Sequence, residues 1–174
     1  MARLPIVIAP APVLKTKAKP IEIIDDGTRR LLDDMLETMY EAPGIGLSAN
    51  QVGVLQRVIV LDVARADEKP QPFKMVNPEI VWLSEELATY NEGCLSLPEQ
   101  YADVTRPARV KFRFLDEHGH RQEHEAEGLL STCVQHEIDH LNGVLFVDHL
   151  SALKRNMILR KLAKAQKAKA ESAM

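Results

Sequence analysis

The sequence predicts an α+β protein: largely antiparallel sheets around a central helix that carries His136-Glu137-x-x-His140, with a further helix at the C-terminus. Three observations predict it. β-branched and alternating stretches recur through the middle of the chain, a segment of helical period sits among them, and no regular βαβ alternation appears.

The elements follow in order. The first twenty residues are punctuated by prolines and are expected to wrap the domain as extended chain. In "DDGTRRLLDDMLETMYEAPG", Leu31, Leu32, Met35, Leu36 and Met39 recur at helical spacing, Asp25 and Asp26 suit a helix start, and Pro43-Gly44 closes the pattern. The glycine-rich "PGIGLSANQVG" leads into "VLQRVIVLDV", a strand by its β-branched run. "ARADEKPQP" reads as a polar loop, "FKMVNPEIVWL" as strand and turn, and "ELATYNEGCLSLP" as strand and loop, with Pro98 opposing a helix. "ARVKFRFLDEHGHRQEHEAEG" is a hairpin: Val110, Phe112 and Phe114 alternate with Lys111 and Arg113, and "DEHGH" supplies the turn. From about Glu127 to Leu141 the apolar positions Leu130, Cys133, Val134, Ile138 and Leu141 fit a helix that Asn142-Gly143 stops. Ser151 to Met174 is expected to form a last helix with a frayed end.

At 174 residues and 45% hydrophobic, the chain suits one catalytic domain over residues 1–150, with 151–174 as a basic helix and tail. A formal net charge of -3 points to neither nucleic acid, DNA included, nor membrane. Pro5, Pro10 and Pro12 break the apolar N-terminus, no signal peptide is read there, and no apolar run is long enough to span a bilayer. A cytoplasmic protein is expected, so Cys94 and Cys133 read as a metal-binding or buried thiol rather than a disulfide.

The chemistry concentrates in "VQHEIDH". Residues four apart share a helix face, so His136 and His140 can offer imidazoles to one ion. Glu137 lies about 100° further round, where it flanks the ion and can take a proton from water. Two histidines leave a tetrahedral ion short of a protein ligand. His149, Asp148 and Glu171 lie downstream, but no glycine turn leads to His149. Upstream, "NEGCLSLP" offers Cys94, and a thiolate is an excellent ligand for a borderline divalent ion. Cys133 is the rival, one turn before Glu137, and reads as a core cysteine pointing away from the two-histidine face.

Three stretches, "GIGLSANQ" (44–51), "EGCLS" (92–96) and "QHEIDHLNG" (135–143), together resemble the three signatures of the bacterial peptide deformylases, in that family's order and approximate separations. The likeness runs over about residues 5–152 and is to the iron-dependent type with a C-terminal helix. It implies a metal-dependent hydrolase that removes the formyl group from nascent N-formylmethionyl peptides. Cys94, His136 and His140 would hold the metal, Fe2+ natively, with Zn2+ or Ni2+ in purified protein. Glu137 would be general base and acid, and the Leu95 N–H and Gln51 amide would stabilise the oxyanion. Ile45, Gly46, Tyr90 and Leu129 would border the substrate cleft or its methionine pocket, and Arg106, grouped with them, would sit near Cys94 as support. The chain departs from the family at Ser48-Ala49, where two alanines are common, and at "PAPVL", where charged residues are usual.

Other groups carry plainer expectations. His118, His120 and His124 are read as solvated surface, Trp82 and Phe73 as core, and Asp139 as lying off the metal face. Seven basic residues from Lys154 to Lys169, with no acid between, form either a solvated helix face or an RNA-facing one, with Leu153, Met157 and Leu162 expected to face the body. The resemblance favours docking near the ribosomal tunnel exit; a monomer is the default. A metallopeptidase and a non-enzymatic metal clip are the alternatives, the latter requiring a fourth protein ligand.

Overall fold

The fold is that of a computed structural model describing residues 2–173. Helix α1 (Asp26–Glu41) opens on an Asp25 cap, whose carboxylate accepts from the Thr28 N–H at 3.0 Å. Strands β1 (Gly46–Ser48), β2 (Val58–Leu61), β3 (Phe73–Leu83), β6 (Arg109–Leu115) and β7 (Arg121–Glu127) form an antiparallel sheet in the order β1-β2-β3-β6-β7. Strands β4 (Leu87–Cys94) and β5 (Leu97–Pro107) make a separate antiparallel hairpin. Helices α2 (Gly128–Leu141) and α3 (Ala152–Ser172) follow.

The period-2 rule explains how the sheet is covered. In β2, Ile59 and Leu61 face α2, in one cluster with Phe112, Val134 and Ile138, whereas Val58 and Val60 face α1 and pack with Leu32, Met35 and Met39. All four β2 residues are therefore buried. β6 is covered on one side only, so Val110, Phe112 and Phe114 alternate with exposed Arg109, Lys111 and Arg113. A third apolar cluster joins the N-terminal segment, the β4–β5 hairpin, residues 145–147 and α3 through Leu14, Leu97, Val104, Phe146 and Leu162.

α2 is fixed at its C-terminal end. Its last carbonyl, on Leu141, accepts from the Ala18 N–H at 2.8 Å and from the Arg57 guanidinium at 3.0 Å. Gly143 follows at φ +75, and a Cβ there would stand 2.6 Å from the Lys15 carbonyl oxygen, so this stop demands glycine.

Four expectations need correction. "FKMVNPEIVWL" contains no chain reversal: β3 continues through it with a bulge, where Asn77 at φ 50 bonds both backbone groups of Ile21 at 2.8 Å. Trp82 is 40% exposed rather than core, with Arg109 and Lys111 against its ring, whereas Phe73 does pack on the core. On α3, Leu162 is buried and Ile158 and Leu159 pack beside it, while Leu153 and Met157 face outward. The tail does not fray within the described residues: α3 runs unbroken to Ser172, and Met174 lies outside them.

Candidate active site

Helix α2 is buried from Ser131 to Leu141 at every position but Asp139. One turn separates His136 from His140, and their Nε2 atoms lie 3.2 Å apart. The end of β4 brings Cys94 against them, with Sγ 3.3 Å from His140 Nε2. The three ligand atoms lie within 4.8 Å of one another. A tetrahedral ion with bonds of 2.0–2.3 Å spaces its ligands by roughly 3.3–3.7 Å, so the thiolate and imidazoles fit a divalent ion. Among the described residues this is the one such His/Cys/Asp/Glu group, and it omits Cys133, His149 and Asp148.

Supporting groups set the polarity. Glu92 Oε1 lies 2.9 Å from His136 Nδ1, which leaves Nε2 for the ion. Arg106 grips both Glu92 oxygens at 2.7 and 2.9 Å and reaches Asp139 at 2.8 Å. His149 closes the chain of contacts from outside, 2.8 Å from the same Asp139 oxygen. Burial alone would raise the Glu92 and Asp139 carboxyls; hydrogen bonds from His136, Arg106 and His149 outweigh it and hold both below their ordinary values. Burial, helped by repulsion from His136 and Arg106, drives His140 well below the usual imidazole range, which keeps it a neutral donor. The Cys133 thiol is pushed well up by burial and by Glu137, and behaves as a core thiol.

Glu137 is buried, its Oε2 3.9 Å from His136 Nε2 and its Oε1 without a hydrogen-bond partner. Burial, opposed by His136, pushes its carboxyl up to about 7. Gly46 makes room for it: a Cβ there would lie 2.5 Å from Glu137 Oε2 and 2.9 Å from Cys133 Sγ. Gln51 is oriented by Ser48, whose N–H and hydroxyl meet its Oε1 at 3.0 and 3.2 Å, so its amide N–H groups point at Cys94 Sγ and Ser96 Oγ. The Ser48 departure therefore has a local hydrogen bond.

A cavity of about 650 Å³ opens over this group, walled by Gly44, Ile45, Gly46, Gln51, Cys94, Leu95, His136 and Glu137 among others. Seven of the eleven residues expected from the sequence at the metal, the reaction or the cleft thus share one wall with His140 beneath them. Tyr90, Leu129 and Arg106 stand outside that wall. The Tyr90 hydroxyl lies 3.7 Å from where a Gly128 Cβ would be, Leu129 is 44% exposed in the first turn of α2, and Arg106 acts through Glu92. Sequence reasoning missed Glu92, although a strand residue two before Cys94 shares its face. It left Asp139 without any role; the side chain does lie off the ligand group but anchors Arg106.

One thiol and two imidazoles, with no fourth side chain in the group among the described residues, beside a buried carboxylate on an α+β frame, define the class: a metal-dependent hydrolase. The profile of the family described as polypeptide deformylase matches residues 3–156. The peptide deformylase of Phenylobacterium zucineum (strain HLK1) is 56% identical over 97% of this chain and 99% of its own length. That of Rhizobium meliloti (strain 1021) is 54% identical over 98% of each. Among solved structures, a peptide deformylase from Legionella pneumophila superposes with a TM-score of 0.91 at 45% identity, covering 97% of this chain and 98% of that one. The Ehrlichia chaffeensis peptide deformylase in complex with actinonin gives 0.91 at 40% identity, covering 95% and 98%. The chain belongs to the peptide deformylase family.

Proposed function

We propose that the chain hydrolyses the formyl amide of nascent N-formylmethionyl peptides, with Cys94, His136 and His140 holding one divalent ion and Glu137 as general base and acid. The observation that carries this reading is the convergence of three ligand atoms beside a buried carboxylate whose Oε1 has no partner. When bound, the ion supplies Lewis-acid polarisation and a water of lowered pKa. Glu137 takes a proton from the water as it attacks the formyl carbon and returns it to the departing amine as the C–N bond breaks, giving formate and a free methionyl amine. A carboxyl titrating at about 7 before an ion lowers it is a competent carrier in both directions. The Gln51 amide, preset by Ser48, and the Leu95 N–H donate to the oxyanion. Ile45, Gly46, Tyr90 on β4 and Leu129 in the first turn of α2 border the substrate cleft or its methionine pocket. Arg106 holds Glu92, and Glu92 holds His136.

Fe2+ is the native ion in this reading, with Zn2+ or Ni2+ taken by the same donors in purified protein. The enzyme works in the cytoplasm as a monomer, its basic α3 face meeting the ribosome near the tunnel exit. No helix among the described residues is long and apolar enough to cross a membrane. Metal-loaded protein should release formate from formyl-Met-Ala-Ser about 10–200-fold faster than it releases acetate from the acetyl analogue, because one added methyl must be placed beside the buried Glu137 carboxyl. Equal turnover of both, or cleavage of internal peptide bonds, would move the reading to a metallopeptidase.

A further inference from the structure

The cavity over the metal centre does not end at Cys94. Tyr101, on β5 opposite Gly93, is 66% exposed and lies so close over Gly93 that a Cβ there would overlap its ring. The same tyrosine lines two cavities: the one over the site and a groove of about 420 Å³ between the β4–β5 hairpin and α3. An apolar floor of Ala102, Leu150, Met157 and Ile158 runs along this groove. Its α3 wall presents Lys154 and Lys161, neither in an ion pair among the described residues. The groove's one carboxylate, Asp103 on the β5 side, accepts a hydrogen bond from Asn91 at 3.1 Å across the hairpin. Two ammonium groups against one carboxylate leave the groove's net charge positive.

We infer that this groove continues the substrate cleft and takes the residues of the formylated peptide beyond the third, with Lys154 and Lys161 favouring acidic side chains there. The inference rests on the deformylase reading and extends it to the downstream chain. Its occupant follows from continuity: a peptide whose formyl end lies at Glu137 must leave the cleft, and the groove begins at a residue both cavities share. The spacing fits as well. Lys154 and Lys161 are two helical turns apart, roughly 10 Å, the reach of about three residues of extended chain. Met157, half-exposed between them, supplies an adaptable apolar contact rather than a shaped pocket, so charge rather than side-chain shape is selected.

The test compares three substrates on metal-loaded enzyme: formyl-Met-Ala-Ser, formyl-Met-Ala-Ser-Glu-Glu-Ala and formyl-Met-Ala-Ser-Lys-Lys-Ala. The acidic hexapeptide should show a KM about three- to tenfold below those of the tripeptide and the basic hexapeptide at low salt, with kcat unchanged, as two exposed charge pairs allow. Raising the salt should shrink the difference. In the Lys154→Glu/Lys161→Glu double variant the charge preference should invert while tripeptide kinetics stay those of wild type, which also certifies the fold. Tripeptide turnover with KM indifferent to length and charge would overturn the groove and leave the deformylase reading standing. A preference that survives the double variant would overturn it too. No tripeptide turnover would overturn the deformylase reading itself, and the inference with it.

Discussion

Arg106 shows at the scale of one residue how the site is held. Its guanidinium is buried between two carboxylates, one of which orients His136, so the proposed metal centre rests on a side chain outside the Cys94, His136 and His140 group. Replacing Arg106 by Met removes the cation that Glu92 and Asp139 share and leaves them only His136 and His149, which costs about 3–5 kcal/mol for a broken buried pair. The melting temperature should fall by roughly 6–20 °C, and metal affinity by about 10–100-fold. The pH dependence has a definite sign. Both carboxyls are depressed from ordinary values of 4.5 and 3.8, so the stability they contribute is present above those values and lost as pH falls through the folded-state ones. The gap in melting temperature between wild type and variant should be full at pH 6 and narrow below about pH 4. Scanning calorimetry across that range checks it; a gap that widens in acid would contradict the assignment.

At the scale of elements, most of what positions the site was legible wherever a local rule decides the outcome. α1, α2 and the β6–β7 hairpin follow their apolar periods, and the four-residue spacing of His136 and His140 carries straight into two Nε2 atoms 3.2 Å apart. Legibility failed where a side chain serves a distant segment. Asn77-Pro78 has the letters of a turn, yet Asn77 spends both amide atoms on Ile21, 56 residues earlier, and β3 bulges instead of reversing. On α3, Leu162 meets the body as expected but Leu153 and Met157 do not, because they are as hydrophobic as Ile158 and Leu159, and only the hairpin and the N-terminal segment decide which of them meet a surface. Glu92 looked like a charged strand residue; its worth appears only when β4 docks against α2.

For the whole molecule, α3 presents two different faces. One packs Leu162, Ile158 and Leu159 on the body, so truncating the helix would also unseat an apolar cluster. Arg160, Lys164 and Lys167 are exposed away from that contact and offer a cleaner probe of the ribosome proposal. The triple change of these residues to Glu should lower ribosome cosedimentation by about tenfold or more at low salt, with formyl-Met-Ala-Ser turnover unchanged. Unchanged cosedimentation would remove the ribosome from the reading and leave a solvated basic face.

In the proposed site one ion sits on Cys94, His136 and His140, and Glu137 carries the proton. The most direct measurement pairs metal content with formate release from formyl-Met-Ala-Ser for wild type and Glu137→Gln, prepared without oxygen and loaded with Fe2+. One equivalent of metal is expected in both proteins, with turnover lower by roughly 10²–10⁴-fold in the variant. Turnover within about tenfold of wild type at equal metal content would contradict that role for Glu137, because the proton would then have another carrier.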